Sequence, residues 1–475
     1  MFFQISVVWI FPAKVIFMKK RLIIFCDGTW NSPDQIDEKT KRICTTNVVK
    51  LMRAVQPIAY SGPDFCIQTP QISYYDPGIG TEGIVEKYVG GATGYGISAN
   101  ILQAYRFLAN NYQSGDEIFC FGFSRGAYTV RALCGFMGLM GLISPKDLDL
   151  LPRAYRYYRM SPEQRYLSPE HEFYLSLKES SIENFCIRFL GVWDSVGAMG
   201  VPTPMLQKLS QRWVGFFDVK LGHYIQTARQ ALAIDERRGA FAPDLWVNTS
   251  AELAQYQDIQ QVWFSGVHSN IGGGYEKNYL SDQTLLWMMG EAGDCGLQFN
   301  AEYVAQILAY TQQIELQSES EQIIIPNNYS LPYKMIDALS LRRGERAIGG
   351  RQRIANDLLP AVNESVHPSV AEVMRINESY RPENLLKALD VGDLEYLSHE
   401  RRHSPRIACY EPAELDVGQE KTQCLIVNQS TGGAGVSCKQ PLRMGQLIHL
   451  SQKWKTITGQ VVWAKDDYIG IKYAA

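Results

Sequence analysis

Gly122-Phe123-Ser124-Arg125-Gly126 is the stretch on which the reading of this chain turns. It follows an apolar run, Glu117-Ile118-Phe119-Cys120-Phe121, and precedes Ala127-Tyr128-Thr129-Val130-Arg131-Ala132-Leu133-Cys134. The run predicts a buried strand and the second segment a helix. A G-x-S-x-G between strand and helix puts the serine on a sharp, strained turn. Residues two before and two after it must then lack side chains that would clash with strand or helix. The turn lifts the Ser124 hydroxyl above the sheet edge. It also aims the Arg125 N–H and the helix N-terminus at a developing oxyanion. A Gly-rich chain also produces G-x-S-x-G by chance, but the flanking elements favour the turn.

The 475 residues allow two or three domains. With 46% hydrophobic and 20% charged residues, the composition is that of a soluble globular protein with a sizeable core. A net charge of −3 provides no general basic field for a nucleic-acid polymer or an acidic membrane, so an anionic partner must be captured locally. Ten scattered cysteines form no C-x-x-C; they read as reduced core residues, with no metal site expected. Residues 1–17 hold an apolar run too short to span a bilayer, and they lack a basic signal-peptide start. Met18-Lys19-Lys20-Arg21 leads directly into a strand, so residues 1–17 are expected to be an unstructured extension from an upstream start codon. Intact mass of the native protein tests this.

Leu22–Cys26 predicts the first strand, and Asp27-Gly28-Thr29-Trp30-Asn31 the turn that leaves it. In a doubly wound sheet the loops at strand carboxyl ends build the site, so Gly28 is a candidate second oxyanion donor; an ordinary Asp-Gly turn is the alternative. Residues 45–55 and 97–111 read as helices, and Ile72–Tyr75 as a strand. Gly90–Gly96 lacks the Gly-Lys-Ser/Thr ending of a phosphate loop and reads as a structural turn. Residues 139–184 predict a helical insertion over the site, and residues 296–390 further helices packed over the sheet or acting as a lid. Trp213-Val214-Gly215-Phe216-Phe217 is either core or an apolar surface for lipid.

Two further apolar runs end in chemically useful residues: Phe185–Trp193 before Asp194, and Gln261–Val267 before His268. Ser124, Asp194 and His268 thus each follow a predicted strand, in the chain order Ser, Asp, His of α/β-hydrolases. In that arrangement His268 takes the serine proton, and Asp194 holds its tautomer and stabilises the imidazolium. His223 and His367 are rival bases, and Asp235 and Asp244 rival acids. His223 and Asp235 are expected in a helical stretch, and His367 in a helix-entry pattern, Val366-His367-Pro368.

Phe25-Cys26-Asp27-Gly28-Thr29-Trp30-Asn31, Gly122 through Tyr128, Gly191 through Gly197, Ala231 through Arg238 and Gly266 through Gly274 together carry a resemblance. Over about residues 20–390 the chain resembles the α/β-hydrolase family that includes the type VI secretion phospholipase effectors. The resemblance implies Ser124 as nucleophile, Asp194 as acid, His268 as base, and ester hydrolysis through an acyl-enzyme. The family's histidine motif commonly ends in Asp after His-Ser; here Asn270 stands instead.

Beyond Leu386 the composition shifts. Residues 387–400 read as a charged linker, and residues 401–475 as closely spaced strands of a small antiparallel barrel. Arg402 and Arg406 lie four apart, with Arg401 beside them, and Asn428-Gln429-Ser430-Thr431-Gly432-Gly433 is a turn. Arginine forks suit phosphates and guanine edges, whereas either motif alone reads as solvated linker or hairpin. Together, R-x-x-x-R and N-x-S-x-x-G in a small barrel resemble the PilZ domain, a receptor for cyclic di-GMP. The resemblance implies Arg401, Arg402, Arg406, Asn428, Ser430 and Gly433 as messenger ligands.

The expected architecture is therefore an α/β-hydrolase doubly wound, mostly parallel sheet with helical insertions (18–386), a linker (387–400) and a PilZ-like barrel (401–475). The expected function is a cyclic di-GMP-regulated serine hydrolase of a phospholipid or other ester, needing no catalytic cofactor, with peripheral membrane contact. The expected compartment is the bacterial cytoplasm, where the messenger is made; secretion as an effector is the other outcome. A messenger-binding adaptor whose hydrolase domain is a scaffold is the reading of a different class. Oligomeric state is not encoded in any of these motifs.

Overall fold

The computed structural model describes residues 19–28, 36, 41, 43–61, 67–78, 95–196, 221–247, 257–318, 320–330, 334, 345–349, 351–354, 357–392, 394–397, 407–418, 420–430, 432–452, 455–465 and 468–474. Residues 1–17, Trp213–Phe217, most of Gly90–Gly96, and Arg401, Arg402 and Arg406 lie outside these, so the expectations placed on them do too.

The first seven strands are β1 (Arg21–Cys26), β2 (Ile58–Ser61), β3 (Ile67–Asp76), β4 (Glu117–Phe123), β5 (Cys186–Trp193), β6 (Ile225–Ala233) and β7 (Asp258–Phe264). β8 (Arg351–Ile354) and β9 (Asp357–Pro360) pair as a separate hairpin, and β10 (Glu364–Val366) returns to the main sheet. The sheet order is β10-β7-β6-β5-β4-β1-β3-β2. Every neighbouring pair is parallel except β2–β3. This is the mostly parallel α/β-hydrolase sheet. Its central strands β1, β4 and β5 are apolar and buried over most of their length because both faces are covered. Along β1, Leu22, Ile24 and Cys26 enter one core and Ile23 and Phe25 the other.

The chain leaves β1 for β3 on one side and returns for β4 on the other. The crevice beyond the carboxyl ends of β1 and β4 is therefore the switch point where sites of such sheets lie. One face is covered by α1 (Asn47–Ala54) and the other by α2 (Tyr95–Asn111) and α3 (Arg125–Met140). Residues 139–184 form a helical layer as expected: a 3-10 turn, then α4 (Leu151–Tyr158), α5 (Pro162–Leu167) and α6 (Glu170–Glu179). After β7 come α7 (His268–Gly272), α8 (Tyr279–Asp294) and α9 (Ala301–Gln317), then α10 (Ser369–Ile376) and α11 (Glu383–Val391). No described helix is long and apolar enough to cross a membrane.

Three expectations are corrected. The stretch between His223 and Asp235 is strand, not helix, and the two residues flank its ends: β6 lies between β5 and β7, and that pairing overrides the helix preference of its Gln and Ala residues. Residues 296–390 contribute an edge strand, β10, beside the helices. The linker is shorter than expected, because residues 387–391 complete α11 and Tyr396 bridges Val366.

Six strands close the second domain: β11 (Ile407–Val417), β12 (Glu420–Ser430), β13 (Gly433–Ser437), β14 (Leu447–Ser451), β15 (Thr456–Lys465) and β16 (Tyr468–Tyr473). The order is β11-β12-β13-β16-β15-β14, with β14 pairing back to β11, so no sheet edge is left open. Inward residues Leu415, Ile426, Val436, Ile448, Leu450 and Ile471 are fully buried. The two domains interlock at two points. Ile407, the first residue of β11, is buried in the core cluster of β1, α1 and α8, while Ala301, the first residue of α9, is buried in the barrel core.

Candidate active site

The turn at Ser124 has the strain its glycines foretell. Ser124 adopts φ 56°, ψ −121°, a conformation rare for a residue with a side chain. A Cβ on Gly122 would lie 2.5 Å from the Gly126 carbonyl oxygen, and one on Gly126 would collide with the Cys26 carbonyl. The strand and helix can approach this closely only through glycine. Ser124 donates its N–H to the Trp193 carbonyl (3.1 Å), which ties the elbow to the end of β5. Arg125 opens α3, so its amide belongs to the helix N-terminus.

Asp194 follows Trp193 directly. It too has positive φ (42°), and its N–H is donated to Ala231 (2.8 Å). His268 opens α7 just past β7. The two meet: His268 Nδ1 lies 2.6 Å from Asp194 Oδ2, both residues buried. An ionised carboxylate only accepts, so Nδ1 carries the proton and Nε2 is left as the basic nitrogen. The ring is held between Phe123 (centroids 4.7 Å) and the edge-on Phe241 (4.9 Å). Phe123 is the residue before Ser124, so part of the clamp on the His268 ring belongs to the elbow.

Charge around this pair is balanced by residues that sequence reasoning gave no role. Arg346 forks onto Asp194, Nη1 to Oδ1 at 2.5 Å and Nη2 to Oδ2 at 2.8 Å. Burial by itself would raise the Asp194 pKa. The Arg346 charge, the His268 N–H and the Arg346 N–H groups outweigh it and hold the carboxyl far below the usual range. Glu236 accepts the His268 backbone N–H (3.2 Å) and pairs with Arg238, which lies over Phe241. Glu236 and Arg238 sit in the Ala231–Arg238 motif, whose position was visible although its task was not. Nothing local marks Arg346.

Gly28 differs from expectation. Its N–H is donated to Asp27 Oδ1 at 2.7 Å and is thus engaged rather than presented to an oxyanion. Asp27 also accepts from Thr46 (2.7 Å) and Tyr75 (3.0 Å). Burial pushes its pKa up to about 6 against these bonds. Asn270 closes the turn after His268, its side chain accepting the Val267 N–H and donating to the Ile324 carbonyl.

The rivals have other partners. His367 pairs with Ser369 and stacks on Phe264. His223 packs on Tyr224. Asp235 accepts from Gly266 and Tyr380, and burial pushes it up to about 6. Asp244 sits beside Arg131, and burial raises its pKa. Next to His268 lies a cavity of about 230 Å³, lined by Glu236, Arg237, Val267, Asn328, Tyr329 and Tyr380.

In the barrel, the expected messenger turn joins β12 to β13. Asn428 Oδ1 accepts the Gly435 N–H (3.1 Å), and the Ser430 hydroxyl donates to the Gly433 carbonyl (3.2 Å). A Cβ on Gly433 would strike the Ile471 carbonyl. These three residues therefore shape a tight hairpin as well as lining its tip.

Residues 20–291 match the family described as T6SS phospholipase effector Tle1-like, catalytic domain, and residues 400–475 match the PilZ domain. The uncharacterized protein YEL023C of Saccharomyces cerevisiae is 28% identical over 218 residues, 41% of this chain and 29% of that protein. The match thus spans under a third of that relative. An uncharacterized protein from Pseudomonas aeruginosa is similar in fold at 18% identity and TM-score 0.34, over 60% of this chain and 47% of that one. The Tle1 effector, solved bound to the VgrG spike of the type 6 secretion system, is similar at 18% identity and TM-score 0.31 (55% and 52%). The PlzA protein of Borreliella burgdorferi, solved with c-di-GMP, is similar at 19% identity and TM-score 0.15 (26% and 50%). The chain spans about half the length of each of these three solved chains.

Proposed function

The chain belongs to the Tle1-like phospholipase effector family through its catalytic domain, and from that membership we propose that it is a serine ester hydrolase acting on phospholipid and governed by cyclic di-GMP. The observation that carries the reading is the 2.6 Å bond between His268 and Asp194, at strand ends flanking a strained Ser124.

In this reading His268 Nε2 removes the Ser124 proton as the hydroxyl attacks the ester carbonyl. The Arg125 amide at the start of α3 faces the oxyanion. His268 then protonates the leaving alcohol, and water attacks the acyl-enzyme by the same steps in reverse. The cavity beside His268 has Arg237 and Tyr329 in its wall, donors suited to a phosphate-bearing headgroup.

The barrel, beginning near residue 401, binds the messenger through Arg401, Arg402, Arg406, Asn428, Ser430 and Gly433. Regulation requires that the messenger bind one state of the hydrolase better than another. The route is short: Ile407, one residue beyond Arg406, is buried against α8, and α8 follows the His268 turn. The compartment in this reading is the cytoplasm.

The test is hydrolysis of a panel of phospholipids and short acyl esters by wild type and Ser124→Ala, with and without cyclic di-GMP. Activity is expected to fall at least about a thousandfold in the variant and to respond to the messenger in wild type. Tight messenger binding with no hydrolysis by either protein moves the assignment to the adaptor.

A further inference from the structure

Four donors converge on the Asp194 carboxylate. Oδ2 accepts from His268 Nδ1 and Arg346 Nη2, and Oδ1 from Arg346 Nη1 and the Ala233 N–H (3.1 Å). Arg346 is itself buried. The other protons of Nη1 and Nη2 go to the carbonyls of Ala233 (2.9 Å) and Phe241 (2.6 Å), while the buried Nε–H meets no acceptor among the described residues. One guanidinium thus ties the end of β5 to the end of β6 and to the turn carrying Phe241, the residue whose ring meets His268. Arg346 lies outside residues 20–291, the segment that matches the family's catalytic domain.

We propose that Arg346 is a positioning residue of the catalytic centre, a fourth member that locks the Asp194 carboxylate onto His268 Nδ1. The proposal rests on the reading of Ser124, Asp194 and His268 as the triad. Its physical content has two parts. The bidentate fork leaves the carboxylate one orientation, which in turn sets the imidazole plane. The guanidinium charge also neutralises the carboxylate, so Asp194 attracts an imidazolium less than a lone buried carboxylate does. Removing the guanidinium is therefore expected to strengthen the hold of Asp194 on a protonated His268.

Among the described residues, the other charged groups near His268 are Glu236 with its partner Arg238, and Asp235 on Gly266 and Tyr380. Glu236 and Arg238 form a neutral pair. Asp235, pushed up to about 6, titrates within the pH range assayed, so the measurement is repeated in an Asp235→Asn background.

The experiment compares full-length wild type, Arg346→Met and Arg346→Lys, with p-nitrophenyl butyrate as substrate across pH 5–9. For Arg346→Met we expect kcat lower by about 10–100-fold at nearly constant KM, and an acid limb of kcat/KM moved up by about one pH unit. Arg346→Lys keeps the charge without the fork; it is expected to lose kcat while its acid limb stays in place. The same proteins are titrated by NMR at the His268 imidazole, assigned by its loss in His268→Gln. The imidazole is expected to titrate at higher pH in Arg346→Met. A folded Arg346→Met with wild-type limb and titration overturns the proposal. If Arg346→Met does not fold, Arg346→Lys decides, and wild-type kcat there overturns it. A titration that moves in a wild-type background without esterase activity supports the role of Arg346 and sinks the hydrolase reading instead.

Discussion

The backbone N–H of Gly28 is held by the carboxylate of Asp27, 2.7 Å from Oδ1, at the carboxyl end of the strand beside the serine elbow. A buried carboxylate there is unfavourable when ionised, and burial pushes its pKa up to about 6. A raised folded-state pKa means the folded chain holds the proton more tightly than the unfolded one. The contribution to stability is complete below about pH 4, the ordinary carboxyl range, and is lost as pH rises through 6. Asp27→Asn should therefore be more stable than wild type at pH 8, by on the order of 2–3 kcal/mol, with the difference closing towards pH 4. Urea midpoints at the two pH values check it; equal midpoints at pH 8 count against a buried, ionisable Asp27.

Asp194 behaves in the opposite sense. Its folded pKa is depressed, so its stabilisation is present above the ordinary carboxyl range and is lost only as pH falls far below it. Asp194→Asn should do two separable things. It leaves His268 in the wrong tautomer, lowering kcat by about ten-thousandfold. It also leaves Arg346 buried without a counter-charge, costing about 3–5 kcal/mol. The double variant Asp194→Asn/Arg346→Met should regain stability but no activity. Thermal melts with parallel esterase assays separate the two effects, and a double variant no more stable than the single one argues against the pairing.

The contrast between these residues explains what was legible in the sequence. Asp194 and His268 each follow an apolar run, and in a parallel sheet the ends of such runs gather at one edge. Their adjacency could be inferred without knowing any contact. Arg346 reaches Asp194 across 152 positions, from a segment with no periodic pattern, so nothing local marked it. The Gly28 amide was misjudged for a related reason: whether a backbone N–H is available depends on where a neighbouring side chain turns, which residue spacing does not record. β6 was mistaken for helix because Gln and Ala suit helices, and only its two strand neighbours decide otherwise. β10, three residues long, is too short to carry a pattern. The barrel was legible because its strands alternate and its turns are rich in glycine.

The elbow glycines make a steric prediction. Gly126→Ala places a methyl group against the Cys26 carbonyl, so α3 must shift away from β1. Loss of hydrolysis should exceed what the loss of stability explains, because Ser124 and the Arg125 amide move together. Gly432→Ala, where a Cβ meets nothing within 4 Å, is the control for handling and expression. Wild-type kcat in folded Gly126→Ala would mean that the elbow tolerates a wider crossing than its geometry implies.

The interlock between domains yields the last prediction. Ile407 is fully buried in the hydrolase core, one residue beyond the arginine expected to hold cyclic di-GMP. Ile407→Ala should destabilise the chain by about 2–5 kcal/mol, as expected for a truncated core residue. Its informative effect is on coupling. Messenger affinity, read by calorimetry, should change little, since no ligand-binding side chain is altered. The ratio of ester hydrolysis with and without messenger should fall towards one, because the strand that follows the arginines expected to bind the messenger no longer bears on α8. The milder Ile407→Val should keep both stability and response. A full response in folded Ile407→Ala would show that the signal travels by another path, with α11 and the bridge from Tyr396 to Val366 the next contact to cut.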